Sequence, residues 1–215
     1  IEVPKGTALE FSGVNSDVSV SGVVGSSKIQ TVNGHIQTKQ LGNDVSLETV
    51  NGEITSVQNN GRIRLNTVNG EIDDKGSSGR IEAEAVNGEI SLQSKATEIS
   101  VSVVNGEVNM LLDGTERLEF SSVNGEISAT LQNSPAPKIS ASSVSGDLTL
   151  KLAQATNARF NLEANAGGDI ENKLTGQKAE KDKYGPHRSL AFSLGQGEGS
   201  IDMTTVSGDL TVEQL

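Results

Sequence analysis

The sequence predicts an all-β fold, a right-handed single-chain β-solenoid with about 18 residues per coil and two short strands in each coil. Three observations carry this expectation. One six-residue phrase recurs along the chain: GVNSDV from Gly13, TVNGHI from Thr31, TVNGEI from Thr49 and Thr67, AVNGEI from Ala85, VVNGEV from Val103, SVNGEI from Ser122, SVSGDL from Ser143 and TVSGDL from Thr205, with a degenerate NAGGDI from Asn165. Its valines fall at Val14, Val32, Val50, Val68, Val86 and Val104, each 18 residues after the last, and spacing this regular marks a repeat architecture. Between copies, apolar residues stand two apart and are bounded by Gly and Asn, the pattern of half-buried strands.

Residues 1–13, with Pro4 and Gly6, precede the first full coil and are expected to cover its edge. In the unit from Val50, apolar side chains follow at Ile54, Ile63 and Leu65; the unit from Val86 repeats this with Ile90, Leu92, Ile99 and Val101. Each unit therefore holds two strands and two turns. The first turn is at Asn-Gly, a pair that tolerates positive φ at both turn centres, and the second is at NNGRI (59–63) or SSGRI (77–81). A strand of about four residues cannot stand alone. Units must stack in parallel, ~4.8 Å apart, with the Val, Ile and Leu columns expected to fill one interior. A left-handed hexapeptide helix also has 18 residues per coil, but it asks for an apolar corner every six residues, whereas these columns fall about nine apart. Parallel crossovers favour the right hand. Nine to ten coils result, forming one domain over residues 1–215.

Past Ser122 the spacing loosens. The stretch LQNSPAP (131–137) reads as an outward loop, and ENKLTGQKAEKDKYGPHRS (171–189) as an inserted loop or hairpin. The chain ends at TVEQL, directly after a strand, so the last coil is expected to be half made. Its open edge would invite pairing with a second copy.

Composition narrows the function classes. With 2% aromatic residues, the core must be slim and aliphatic. A net charge of −11 argues against nucleic acid and against an anionic membrane surface. The absence of cysteine excludes disulfides, thiolate catalysis and Cys-ligated metals. No apolar run approaches the roughly 18 residues that cross a bilayer, and no signal peptide is visible at Ile1, so an exported protein would have lost its targeting segment. His35 and His187 stand alone, no serine sits in a nucleophile elbow, and GQGEG (195–199) lacks the strand-to-helix setting of a phosphate loop. No catalytic residue, cofactor or resident metal is expected.

Three groups of residues are candidates for structure or binding. Asn15, Asn33, Asn51, Asn69, Asn87, Asn105 and Asn124 would stack into a side-chain amide ladder, with Ser145 and Ser207 continuing it. Glu53, Glu71, Glu89, Glu107, Glu126 and Asp147, together with Asp169 and Asp209, would form a carboxylate stripe with neighbours about 5 Å apart, partly neutralised by Arg62, Arg64 and Arg80. Such a stripe could draw Ca²⁺, although Ca²⁺ takes six to eight oxygens and one row supplies few. The insertion counts five Lys and Arg against three acids and holds Tyr184, His187 and Arg188, in a chain that is otherwise acidic. Loops on rigid scaffolds often carry function.

The VNGE and VSGD corners, with the closing GEGSIDMTTVSGDLTV (197–212), resemble the adhesin-like β-strand-repeat proteins of bacteria over nearly the whole chain. The resemblance implies a right-handed β-solenoid, export to the cell envelope (periplasm or cell surface) and no known catalytic residues. The chain departs from that style in its strict spacing and its basic insertion. The resulting expectation is a non-enzymatic envelope scaffold that binds protein or glycan. The alternatives are a carbohydrate-active β-helix enzyme, or a cation-stabilised surface assembly element that self-associates through the C-terminal edge.

Overall fold

Burial alternates along the strands as the period-2 pattern demands, because successive side chains of a strand point to opposite faces. The structure, a computed structural model, describes residues 2–153 and 155–215. The first three layers each hold two strands: β1 (Leu9–Asn15) and β2 (Val18–Ser21), β3 (Ser27–Asn33) and β4 (Ile36–Lys39), β5 (Asp44–Asn51) and β6 (Ile54–Val57). In the next four layers one strand runs unbroken through the repeated phrase: β7 (Asn60–Lys75), β8 (Ser78–Ser94), β9 (Glu98–Asp113) and β10 (Arg117–Gln132). The eighth layer is again divided, into β11 (Lys138–Ser143) and β12 (Leu148–Leu152).

All these layers pair in parallel and in register with the repeat. Ile54 lies against Ile72, Ile72 against Ile90, Ile90 against Val108, Val108 against Ile127, and Ile127 against Leu148. These eight layers form a β-solenoid with about 18 residues per turn. Its core is the predicted aliphatic pillar, with Ile29, Leu47, Leu65, Ala83, Val101 and Phe120 on one wall and the Ile36 to Ile127 column on the other.

The glycines of the phrase follow from the stacking. A Cβ on Gly70 would overlap the carbonyl of Gly52, one on Gly88 that of Gly70, and one on Gly106 that of Gly88. Backbone passes over backbone at this corner, which leaves no room for a side chain. The corner is not the predicted tight turn with positive φ at Asn, since no ladder asparagine has positive φ among the described residues. In β7 to β10 it is a bend within a strand, because residues on both sides of the valine, such as Thr67 against Ala85 and Asn69 against Asn87, continue to pair between layers.

Two expectations about packing are overturned. The phrase valines are not in the core: Val32, Val50, Val68 and Val86 are each 39% exposed and Val104 is 37% exposed. The inward residue is the one before, namely Thr31, Thr49, Thr67, Ala85 or Val103, each at most 4% exposed. Parity explains this. Val45, Leu47 and Thr49 share the inward face of β5, so Val50 must face out.

The second correction concerns the end of the chain. After β13 (Ala158–Ala164) and β14 (Ile170–Asn172), the insertion forms a hairpin of β15 (Glu180–Lys181) and β16 (Arg188–Leu194), with β17 (Gly199–Thr205) and β18 (Leu210–Gln214) closing the chain. Ile201 of β17 pairs with Ile139 of β11 on one side and Phe160 of β13 on the other; Leu210 of β18 likewise lies between Leu148 and Ile170. The last coil is therefore inserted inside the stack. It is not an open edge, because both of its sides have strand partners, which an end position would not supply. The layer built from β13 is closed instead by β16, which runs antiparallel to it and stacks Phe192 on Phe160 at 4.4 Å. The chain's own last strands, β17 and β18, are therefore not the edge that self-association was expected to use. At the other end, β1 begins at Leu9 and already pairs with β3, so the first layer starts inside the segment expected to act as a cap.

Candidate functional site

Each layer lays the same six residues round the corner. In the third layer Glu48 points out, Thr49 in and Val50 out; Asn51 and Gly52 make the bend, and Glu53 points out before Ile54 re-enters the core. Stacking turns each position into a column. The asparagine column is a continuous amide ladder: the Nδ2 of Asn33, Asn51, Asn69, Asn87, Asn105 and Asn124 donates to the Oδ1 of the preceding asparagine, from 2.8 Å at Asn33→Asn15 to 3.2 Å at Asn124→Asn105. Ser145 and Ser207 continue it at 3.1 Å. The ladder lies on the surface, so it locks the layers laterally rather than satisfying groups in the core.

Beside it run two further columns. One is the valine ridge, Val14, Val32, Val50, Val68, Val86, Val104, Val123, Val144 and Val206, exposed along its whole length. An open groove of about 580 Å³ runs along this ridge from Val32 to Val104, with Gln30, Glu48 and Asn66 on its far wall. The other column is the carboxylate stripe, in which Glu71 lies in register against Glu89 and Glu107 against Glu126. Among the described residues no cluster of three or more acidic or histidine side chains converges as a metal site would need, since the stripe places one carboxylate in each layer.

The stripe divides by side-chain length. Its aspartates are structural: Asp17, Asp147 and Asp209 each accept a backbone N–H of the neighbouring layer, from His35, Asp209 and Asp169 at 2.9, 2.8 and 2.7 Å. Its glutamates reach further out. Glu53 accepts from Thr55 at 2.9 Å and Glu107 from Asn109 at 2.8 Å. The arginines expected to neutralise the stripe do not reach it. Arg62 pairs with Asp44, Arg64 with Glu82 and Arg80 with Glu98, all at the far side of the first strand face.

The model of the Toastrack DUF4097 family matches residues 1–213. The chain belongs to this family. Toastrack DUF4097 is a domain of unknown function, and the narrower resemblance to adhesin-like envelope proteins is not part of what that match shows. No curated protein and no solved structure matches at a significant level.

The insertion of this Toastrack chain meets the stripe at one end. Arg188 sets its guanidinium 2.5 Å from Asp169, and His187 Nδ1 lies 3.2 Å from the Oδ1 of Asn165. The backbone N–H of Ile170, followed by Arg188, holds the Asp169 carboxyl below the usual carboxylate range. Tyr184 is 92% exposed at the hairpin tip, where Lys183 lies 5.3 Å from its ring centre, so it is not brought together with the stripe.

Two features of this chain escaped the sequence reading. Asp74 is fully buried in a core column between Ser56 and Leu92. Its Oδ1 accepts from Ser56 at 2.6 Å and from Ser77 at 2.5 Å, Asn59 donates on to Thr38 and Ser56, and its Oδ2 has no partner. Burial pushes the carboxyl up from its ordinary value. The only sequence signal was parity: Asp74 stands two residues after Ile72, on the inward side. The second feature is an open pocket of about 350 Å³ at the 131–137 bend, lined by Glu98, Glu116, Arg117 and Lys138.

Proposed function

We propose that this Toastrack domain is a non-catalytic binding scaffold of the bacterial cell envelope, exported to the periplasm or cell surface, whose asparagine corner docks a protein or glycan. The observation that carries the reading is the valine ridge. Scattered exposed apolar side chains need no explanation, but a contiguous apolar patch rimmed by polar groups is the mark of an interaction site. Nine valines aligned in successive layers make such a patch, and the amide ladder and stacked glycines hold it rigid. A preorganised surface loses little conformational freedom on binding.

The test is retention of envelope protein and glycan fractions on the immobilised domain, compared with V50T/V68T/V86T at the corner and S91A/S128A on the other flat face. Retention should fall for the first variant and persist for the second. Equal retention by the corner variant, or loss on the other face, would overturn this assignment.

The pocket at the 131–137 bend supports a second reading, a carbohydrate-active site, because it gathers two acids and two bases. Glu98 is already paired with Arg80, which leaves Glu116 as the candidate acid. Turnover of a polysaccharide that disappears in E116Q would favour it.

A further inference from the structure

We infer that the partner of the asparagine corner is a cationic amphipathic α-helix, with its apolar stripe on the valine ridge and its Lys or Arg side chains along the carboxylate row. This rests on the reading of the corner as a docking surface and adds the chemistry of the occupant.

Charge selects the sign. The nine six-residue windows that start at Ser12, Gln30, Glu48, Asn66, Glu84, Ser102, Ser121, Ser142 and Thr204 contain ten acids and no Lys or Arg. Nearly all of the chain's net charge of −11 is therefore concentrated on the band that flanks the valines. The basic residues lie elsewhere, in ion pairs such as Arg62–Asp44 and Arg64–Glu82. Where the chain itself covers the row, it does so with a cation: Arg188 on Asp169. A second copy docked ridge to ridge would bring two such bands within a Debye length of about 8 Å, where they repel. An anionic polymer would be excluded for the same reason.

Pitch selects the shape. Successive valines stand one layer apart, ~4.8 Å, whereas a helix advances about 5.4 Å per turn. A helix laid along the ridge drifts by only about 0.6 Å per layer, so about four turns, or about 15 residues, stay within half a layer of register. An extended segment repeats its same-side residues every ~6.6 Å or more and drifts by about 2 Å per layer, losing register almost at once. The groove on one side of the ridge, lined by Glu48 and Glu84, gives the helix's apolar side chains a recess to enter, and on the other side of the ridge lysines a turn apart can follow the glutamates Glu71, Glu89, Glu107 and Glu126.

The experiment titrates a fluorescein-labelled, 18-residue Leu/Lys amphipathic helix with the intact domain, reading anisotropy and peptide circular dichroism. A scrambled peptide of the same composition is the control. The wild type is expected to bind with gain of helix, and affinity should fall at least tenfold for the scrambled peptide, for V50T/V68T/V86T and for E71Q/E89Q/E107Q. All of these positions are exposed, and Thr keeps the β-branched shape, so the variants should melt like the wild type. Equal binding of the scrambled peptide, wild-type affinity in either variant, or no saturable binding below about 1 mM would overturn the inference. If envelope fractions still bind through the corner while the helix does not, only this inference falls. If both fail, so does the docking surface.

Discussion

Replacing Asp74 by Asn should stabilise the solenoid at neutral pH and flatten the pH dependence of its stability. Asp74 occupies a column in which the next layer places Leu92, and burial is the largest influence on its carboxyl, raising the folded-state pKa above the unfolded value of about 3.9. The folded state therefore holds the proton more tightly than the unfolded chain does. The contribution of this group is fully present below the unfolded pKa and is lost as pH rises through the raised folded value, so the wild type is handicapped at neutral pH. Asn keeps the acceptor that Ser56 and Ser77 bond at 2.6 and 2.5 Å and replaces the ionisable oxygen that has no partner with a neutral amide group, so a buried charge is exchanged for an unpaired but uncharged donor. An unsatisfied buried acceptor costs about 1–3 kcal/mol and a charged one more, so D74N should gain about 1–3 kcal/mol at pH 7 and little at pH 3.5. For a chain of this size that is ~2–4 °C in Tm per kcal/mol. Urea unfolding of both proteins from pH 3.5 to 8, followed by circular dichroism, measures it. A variant less stable than wild type at pH 7, or one with an unchanged pH slope, would refute the account of a strained buried acid.

The valines and the isoleucines of the phrase should respond oppositely to the same change. V68S, at an outward position, should shift stability by no more than about 0.5 kcal/mol, whereas I72S, four residues on and fully buried, should lose about 2–5 kcal/mol or prevent folding. Equal losses in urea midpoint would put the valine back in the core. G88A should cost about 1–3 kcal/mol or more, because its Cβ meets the Gly70 carbonyl, a backbone atom that cannot step aside. G114A, at a position where a Cβ would meet nothing, has only a positive φ of 75° to contend with and should cost about 1–2 kcal/mol. If G88A melts at the wild-type temperature, the layers do not approach as closely as described.

Much of this architecture was legible because the repeat is exact over six coils. The interval of 18 places Ile54, Ile72 and Ile90 directly over one another, and the same register stacks Asn51, Asn69 and Asn87 into a ladder whose distances vary little. The carboxylate stripe was legible for the same reason. Its electrostatic setting was not, because Arg62, Arg64 and Arg80 lie near the stripe in sequence yet project several columns away, where Asp44, Glu82 and Glu98 pair with them. The insertion was visible as a change of composition, but nothing in its residues says that Arg188 returns to the corner and meets Asp169.

The amino-acid order alone determined that identical short segments lie over one another in parallel, since a strand too short to be stable can satisfy its backbone only on a copy of itself. Tertiary structure decided which way the corner faces and where the chain ends. The bend at Asn-Gly resets the alternation, so the inward parity must be counted from Val45 and Leu47, and that places Val50 outside. The last coil slots between two earlier ones because β16 runs back antiparallel to β13 and the remaining chain gains strand partners on both sides. Pairings between residues 40 to 62 positions apart obey contact, and local sequence does not encode them.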